Sequence, residues 1–158
     1  SYTTRADRSG QRAARLGLAP PADDLASYSS VSQRVTLPTD LSSARLTLWL
    51  WPHTEDDVAP PGSSLASDAH AAADAPQGAA PSQSTADRQQ VILLDDQRQF
   101  LALLWSAALN GEDWQKLEFD LSSYRGRTLW VYVNATNDGD GRRTWLFLDD
   151  VSLIVNRP

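Results

Sequence analysis

The chain reads as a single all-β domain spanning 1–158: a sandwich of about nine short antiparallel strands carrying one long Ala/Pro/Ser-rich insertion. Three observations predict this. Apolar and polar residues alternate with period two in segment after segment. Turn-forming residues separate those segments at short, regular intervals. No long stretch has the 3.6-residue period of a surface helix.

The elements follow in order. Arg12–Leu18 is a short strand candidate, and Ser29–Leu37, rich in Ser, Val and Thr, is a second. Ala44–Trp51 is clearer: Leu46, Leu48 and Leu50 share one face, while Arg45, Thr47, Trp49 and Trp51 share the other. Pro52 is expected to end it. Gln90–Leu94 and Phe100–Trp105 flank Asp95-Asp96-Gln97-Arg98-Gln99, which reads as a hairpin loop. Val91–Leu109 can also be drawn as an amphipathic helix, but polar residues interrupt the run and β-formers flank it. Trp114–Asp120 is followed by a tight turn at Tyr124–Gly126. Thr128–Ala135 puts Leu129, Val131 and Val133 on one side and Trp130, Tyr132 and Asn134 on the other. Asn137–Gly141 is a turn by composition, and Thr144–Asp149 and Val151–Asn156 close the chain.

Residues 53–87 stand apart, with ten Ala, four Pro, five Ser and no aromatic residue. A connection of that length is unusual inside a compact domain. Ser64–Ala75 could form an Ala-rich helix capped by Ser64.

Composition excludes several classes. The net charge is −6, and no basic cluster exists to neutralise a phosphate backbone, so nucleic acid is not an expected partner. Without cysteine there is neither disulfide nor thiolate chemistry. No apolar run approaches the roughly 20 residues of a membrane-spanning helix. No leader is visible ahead of Ser1, so either one has been removed or the chain is a piece of something larger.

From Ala6 onward the order of motifs resembles a family of bacterial extracellular jelly-roll domains of the galactose-binding type, which includes carbohydrate-binding modules and is similar to MAM domains. Arg8-Ser9-Gly10-Gln11-Arg12-Ala13-Ala14-Arg15-Leu16-Gly17 looks like the family's opening. Gln33–Pro38, Ala44–Trp49 and Asp87–Asp95 look like its next strands. Trp114, Phe119–Gly126, Asn137–Gly141 and Leu148–Leu153 complete the match. The resemblance implies a jelly roll, a secreted or cell-surface location and a non-catalytic role. It also implies a structural Ca²⁺ ion, held by Asp149 or Asp150 and by backbone carbonyls near Ser9 or Gly10. Members usually begin with a strand that this chain starts too late to contain, which would leave a sheet edge to be rearranged, lost or completed by another molecule.

Adjacent carboxylates at a strand end, Asp149 and Asp150, suit Ca²⁺ on their own chemistry; the bland alternative is one capping a turn and the other facing water. Asn137–Gly141 looks slightly like a calcium loop but lacks the downstream acid, and a hairpin turn accounts for it. Trp49, Trp51, Trp130, Tyr132 and Trp145 are candidate carbohydrate platforms, because flat rings stack on the apolar faces of sugars, with Arg45 nearest to fix hydroxyls. Packing in the sandwich competes with that reading, and Trp114 and Tyr124 are assigned to core or corner. His53 and His70 accompany no hydrolase motif, and His70 with Asp74 reads as a solvated pair. Asn134-Ala135-Thr136 fits a glycosylation sequon.

The leading expectation is a binding or adhesion module for carbohydrate or a cell-surface glycan, without membrane insertion. The alternative is a structural subunit that self-associates into an extracellular filament or surface layer, through its N-terminal segment and the 53–87 loop. A hydrolase ranks third.

Overall fold

The computed structural model describes residues 2–3, 7–56 and 86–158. Its strands are β1 (Tyr2–Thr3), β2 (Ala13–Gly17), β3 (Ser27–Thr36), β4 (Ser43–Thr54), β5 (Arg88–Asp95), β6 (Phe100–Ala107), β7 (Gln115–Asp120), β8 (Thr128–Asn137) and β9 (Thr144–Asn156). A 3-10 turn at Ser122–Tyr124 is the one helical piece among the described residues. The strands form two antiparallel sheets, ordered β1-β2-β9-β4-β7 and β3-β8-β5-β6, packed as a sandwich. The two-residue β1 pairs on the outer edge of β2, with Tyr2 opposite Ala14. The proposed 64–75 helix, and most of Ser1–Asp7 and of the 53–87 loop, lie outside the described residues.

Alternation builds the core as expected. Leu46, Leu48 and Leu50 of β4 meet Val91 and Leu93 of β5 and Leu129, Val131 and Val133 of β8 between the sheets. Leu48 is 0% exposed, so Leu48→Ala is expected to cost about 2–5 kcal/mol, read as a lower urea midpoint at unchanged slope.

Beyond shifts of a residue or two at strand ends, two features differ from the sequence reading. Pro52 does not end β4, which runs on to Thr54. β7 pairs with β4 only as far as Leu50, and beyond it the Pro52 carbonyl accepts the Gly111 N–H at 2.8 Å. A residue's N and O point to the same side of a strand, so the proline nitrogen faces away from β9, where no ladder bond is lost. Secondly, Thr144–Asn156 is one strand, not two. Between the pairs Trp49–Asp149 and Thr47–Ser152, β9 carries one extra residue, and Asp150 takes φ 47°. This bulge switches the inward positions from Leu146 and Leu148 to Leu153 and Val155.

One end of the sandwich is polar inside. Gln89, Thr54, Asn137 and Thr144 are buried there, with Thr54 and Thr144 hydroxyls 2.6 Å apart and the Asn137 amide bonded both ways to the Thr144 backbone. Gly17 crosses this region at φ +85°, where a Cβ would lie 2.3 Å from the Thr144 carbonyl, so the close approach of β2 to β9 requires glycine.

Candidate functional site

The candidate platform residues fall on two opposite outer faces. On the five-stranded sheet, Trp49, Trp51 and His53 of β4 lie beside Asp149, Phe147 and Trp145 of β9. All are partly buried. Trp51 stands 4.8 Å from His53, 5.9 Å from Phe147 and 6.1 Å from Trp114 between ring centroids. His53 stacks on Trp145 at 5.0 Å, and burial pushes its pKa down, which keeps the imidazole neutral. Trp51 Nε1–H donates to the Gly111 carbonyl at 2.9 Å. Trp114 therefore joins an outer aromatic cluster and not the interior, whereas Tyr124 packs against the core. Arg45 lies four residues from Trp49, about 13 Å along the strand. It lines a separate groove of about 450 Å³ with Glu118, Phe119, Asp120 and Ile154.

The Arg8 guanidinium covers the last free ring of that face, 3.6 Å above Trp49. It also pairs with Asp150 Oδ2, and Ser9 Oγ donates to Asp150 Oδ1 at 2.5 Å. Asp149 Oδ2 accepts the Arg8 and Ser9 backbone N–H groups at 3.0 and 3.2 Å, and its Oδ1 accepts the Asp150 N–H at 2.8 Å. Every oxygen of the two carboxylates thus meets a donor, and a cation from the chain already sits beside them. Calcium needs these oxygens turned toward the ion, so Asp149, Asp150, Ser9 and Gly10 do not fit one in this arrangement. Gly10, at φ +72°, only turns the chain after Ser9.

The Ser9 hydroxyl first, and Arg8 second, hold the Asp150 pKa below its usual range. A depressed carboxyl contributes stability that is present above its unfolded pKa and lost as pH falls through the folded one. Asp150→Asn is therefore expected to cost at most about 1 kcal/mol at neutral pH. The difference should close as acid titrates the wild type below about pH 4, and denaturant curves at several pH values check it.

The outer face of the four-stranded sheet is different in kind. Register aligns side chains from four strands into rows. One row is Ser30, Asn134, Gln90 and Ser106; the next is Ser32, Tyr132, Ile92 and Leu103; the third is Arg34, Trp130, Leu94 and Phe100. Tyr28 stands one row further along, in line with Thr136 and Arg88, 56% exposed, its ring stacked 6.4 Å from that of Tyr132 across the polar row. Burial, then hydrogen bonding with Tyr132, push the Tyr28 hydroxyl pKa well up. Gln90 Nε2 donates to Ser106 Oγ at 3.4 Å. Asn134 is only 1% exposed, yet neither its amide nitrogen nor its oxygen has a hydrogen-bond partner. Beyond Tyr132 the Arg98 guanidinium lies 3.9 Å over Trp130, and Arg34 Nη2 is paired with Asp96 at 2.6 Å, which closes that end of the face.

The structure thus places Tyr132 and Trp130 together, and sets Trp49, Trp51 and Trp145 apart from them across the sandwich. Sequence reading missed Tyr28, Ser30, Gln90 and Ser106. A start of β3 drawn at Ser29, two residues late, left Tyr28 out of the strand. Asn134 was visible on the Trp130 and Tyr132 side of its strand, but its burial rules out glycosylation of the folded chain at that sequon.

Neither a family model nor a curated protein sequence matches the chain. Among solved structures it is similar to TmCBM61 in complex with β-1,4-galactotriose. The identity is 15% over 94% of this chain and 74% of that one, with a TM-score of 0.54. It is also similar to a family 16 carbohydrate binding module-2, at 12% identity, 97% and 83% coverage and a TM-score of 0.47. At such identity the likeness to TmCBM61 shows the fold, the two-sheet β-sandwich of a carbohydrate-binding module. No helix among the described residues is long and apolar enough to cross a membrane.

Proposed function

We propose that the protein is a non-catalytic carbohydrate-binding module, acting outside the cell or at its surface, whose glycan lies across the outer face of the four-stranded sheet. The observation that carries this is the polar row Ser30–Asn134–Gln90–Ser106 beside the Tyr28 and Tyr132 rings. Hydroxyls and amides in line with flat rings match a sugar, which offers hydroxyl edges and apolar faces. Three strand spacings make the row about 14 Å long, the length of a short oligosaccharide and not of one ring. The polar row and the Tyr132 row contain no charged side chain, while Tyr28's row ends in Arg88, and the reading takes a neutral ligand seated on the first two. Without a carboxylate pair or histidine the face has nothing to drive glycoside hydrolysis. The likeness in fold to a module seen with β-1,4-galactotriose supports the ligand class.

Trp49, Trp51 and Trp145 have their ring faces committed to Arg8 and to neighbouring aromatics, and they serve packing in this reading. The assembly alternative rested on segments lying mostly outside the described residues and is not carried forward.

Calorimetric titration with neutral tri- to hexasaccharides, β-1,4-galactan fragments among them, tests the proposal. Binding should weaken at least tenfold in Tyr132→Ala, about 1.4 kcal/mol, and stay unchanged in Trp145→Ala. The reverse pattern moves the site to the other face, and no binding to any neutral glycan removes the reading.

A further inference from the structure

Tyr28 and Tyr132 stand on either side of the polar row. Tyr28 lies opposite Thr136 and Tyr132 opposite Ser32, so four residues along the strand and one strand across separate them. That spacing puts their Cα atoms about 14 Å apart. Their ring centroids are only 6.4 Å apart, with planes 28° from parallel. Both side chains therefore lean inward across the row, and the rings meet over the Ser30–Asn134 pair. Asn134 beneath them points away from the core, yet it is 1% exposed, and its amide nitrogen and oxygen are both unpaired.

An unpaired amide under two nearly parallel rings is the floor of a slot. A flat guest between two aromatic planes needs about 3.5–4.0 Å on each side, a gap of about 7–8 Å, so the pair stands about 1 Å too close to admit one. Tyr28 is the side that gives way. It is 56% exposed near the start of the edge strand β3, whereas Tyr132 is half-buried on the inner strand β8.

We propose, building on the glycan reading above, that Tyr28 and Tyr132 clamp one hexopyranose ring on edge, with two adjacent hydroxyls seated on the Asn134 amide. The amide presents an acceptor on one side and donors on the other, which suits a pair of neighbouring hydroxyls. Sheet geometry then sets the course of the chain. The rings are separated along the strands, so the slot between them runs across the strands, from Ser30 toward Gln90 and Ser106. A pyranose standing on its C2–C3 edge in that slot sends C1 and C4 along the row. A 1,4-linked chain keeps its 2,3-diol free for Asn134 and continues over Gln90 and Ser106. A 1,3-linked chain has used O3 in its linkage and turns out of the row. The clamp therefore selects the linkage, and Tyr28 is a specificity-determining residue.

The test is calorimetric titration of the full chain with β-1,4- and β-1,3-linked tetraoses of galactose and of glucose, with melting curves alongside. The β-1,4 tetraose of a sugar should bind at least about tenfold tighter than its β-1,3 isomer. Tyr28→Ala should weaken that binding about tenfold, while Tyr28→Phe, which keeps the ring, should stay within about twofold of the wild type. If Tyr28→Ala folds poorly, the linkage preference of the wild type still decides. Tyr28→Ala that folds and binds as tightly as the wild type, while Tyr132→Ala loses binding, overturns the clamp and leaves the glycan site standing. Equal affinity for the two linkages does the same. Binding of none of the four tetraoses also overturns the clamp, and the glycan reading itself falls only if the wider series of neutral glycans fails too.

Discussion

Asn134→Leu is expected to raise stability and remove glycan binding in the same molecule. The two effects have one cause. Asn134 sits on the outward side of β8 between Ser30 and Gln90, and both its amide atoms are buried without a partner. An unsatisfied buried polar group costs about 1–3 kcal/mol, and leucine, branched in the same way, removes that cost. With about 2–4 °C gained per kcal/mol in a chain of this size, scanning calorimetry can read the change directly. In the complex the same amide has a use, as one donor and one acceptor in the middle of the polar row. A neighbouring side chain has to swing aside for sugar hydroxyls to reach it. Loss of both contacts should weaken binding by ten- to a hundredfold, about 1.4–2.8 kcal/mol. A site that keeps a costly group for its ligand is the usual form of the trade between stability and activity. If Asn134→Leu melts lower and binds normally, the amide is structural and the polar row is not the binding surface.

The difference between what the sequence disclosed and what it hid follows from the range of the interactions. Alternation within a strand is local, so Leu46-Leu48-Leu50 and Leu129-Val131-Val133 marked their core faces correctly. The Asp95–Gln99 hairpin is local too, closed by the Asp95 carboxylate on the Gln97 and Gln99 N–H groups. Pro52 misled because its cost depends on a neighbour: only the end of β7 at Gln115 frees its nitrogen from the ladder. The Asp149-Asp150 pair looked like a strand break because a bulge reverses the alternation there. The pair's partners, Arg8 and Ser9, lie some 140 residues away in the chain. The candidate site is non-local throughout. Ser30, Gln90, Ser106 and Asn134 come from four strands, and only sheet order and register put them in line. Likewise Trp49 and Trp130 have the same local pattern, and nothing local says that they face opposite ways across the sandwich.

Gln89→Met is expected to be among the most destabilising single substitutions in the chain. Gln89 is 0% exposed on the inner side of β5, so it faces the other sheet. Its Nε2 donates to the His53 carbonyl of β4 at 2.8 Å and to the Trp145 carbonyl of β9 at 3.2 Å. Its Oε1 accepts the Leu109 N–H at 3.3 Å, while Nε2 also reaches the Leu109 carbonyl at 3.4 Å. One side chain therefore bonds both central strands of the opposite sheet and the loop after β6. Methionine keeps the volume and leaves those backbone groups facing an apolar side chain. At about 1–3 kcal/mol for each group left unpaired, the loss should reach about 3–5 kcal/mol, a large part of the 5–15 kcal/mol that holds a typical domain. Gln89→Glu is expected to be worse at neutral pH and milder in acid, because the carboxylate must be buried among carbonyls and its proton restores one donor. The loop that Gln89 holds also contains Gly111, whose carbonyl takes the Trp51 indole N–H and whose amide caps Pro52. Tryptophan fluorescence in Gln89→Met should accordingly change at lower denaturant than the far-UV signal, since the aromatic cluster loses its support before the sheets part. Coincident transitions would mean that the loop is held by its own contacts and that Gln89 acts only between the sheets.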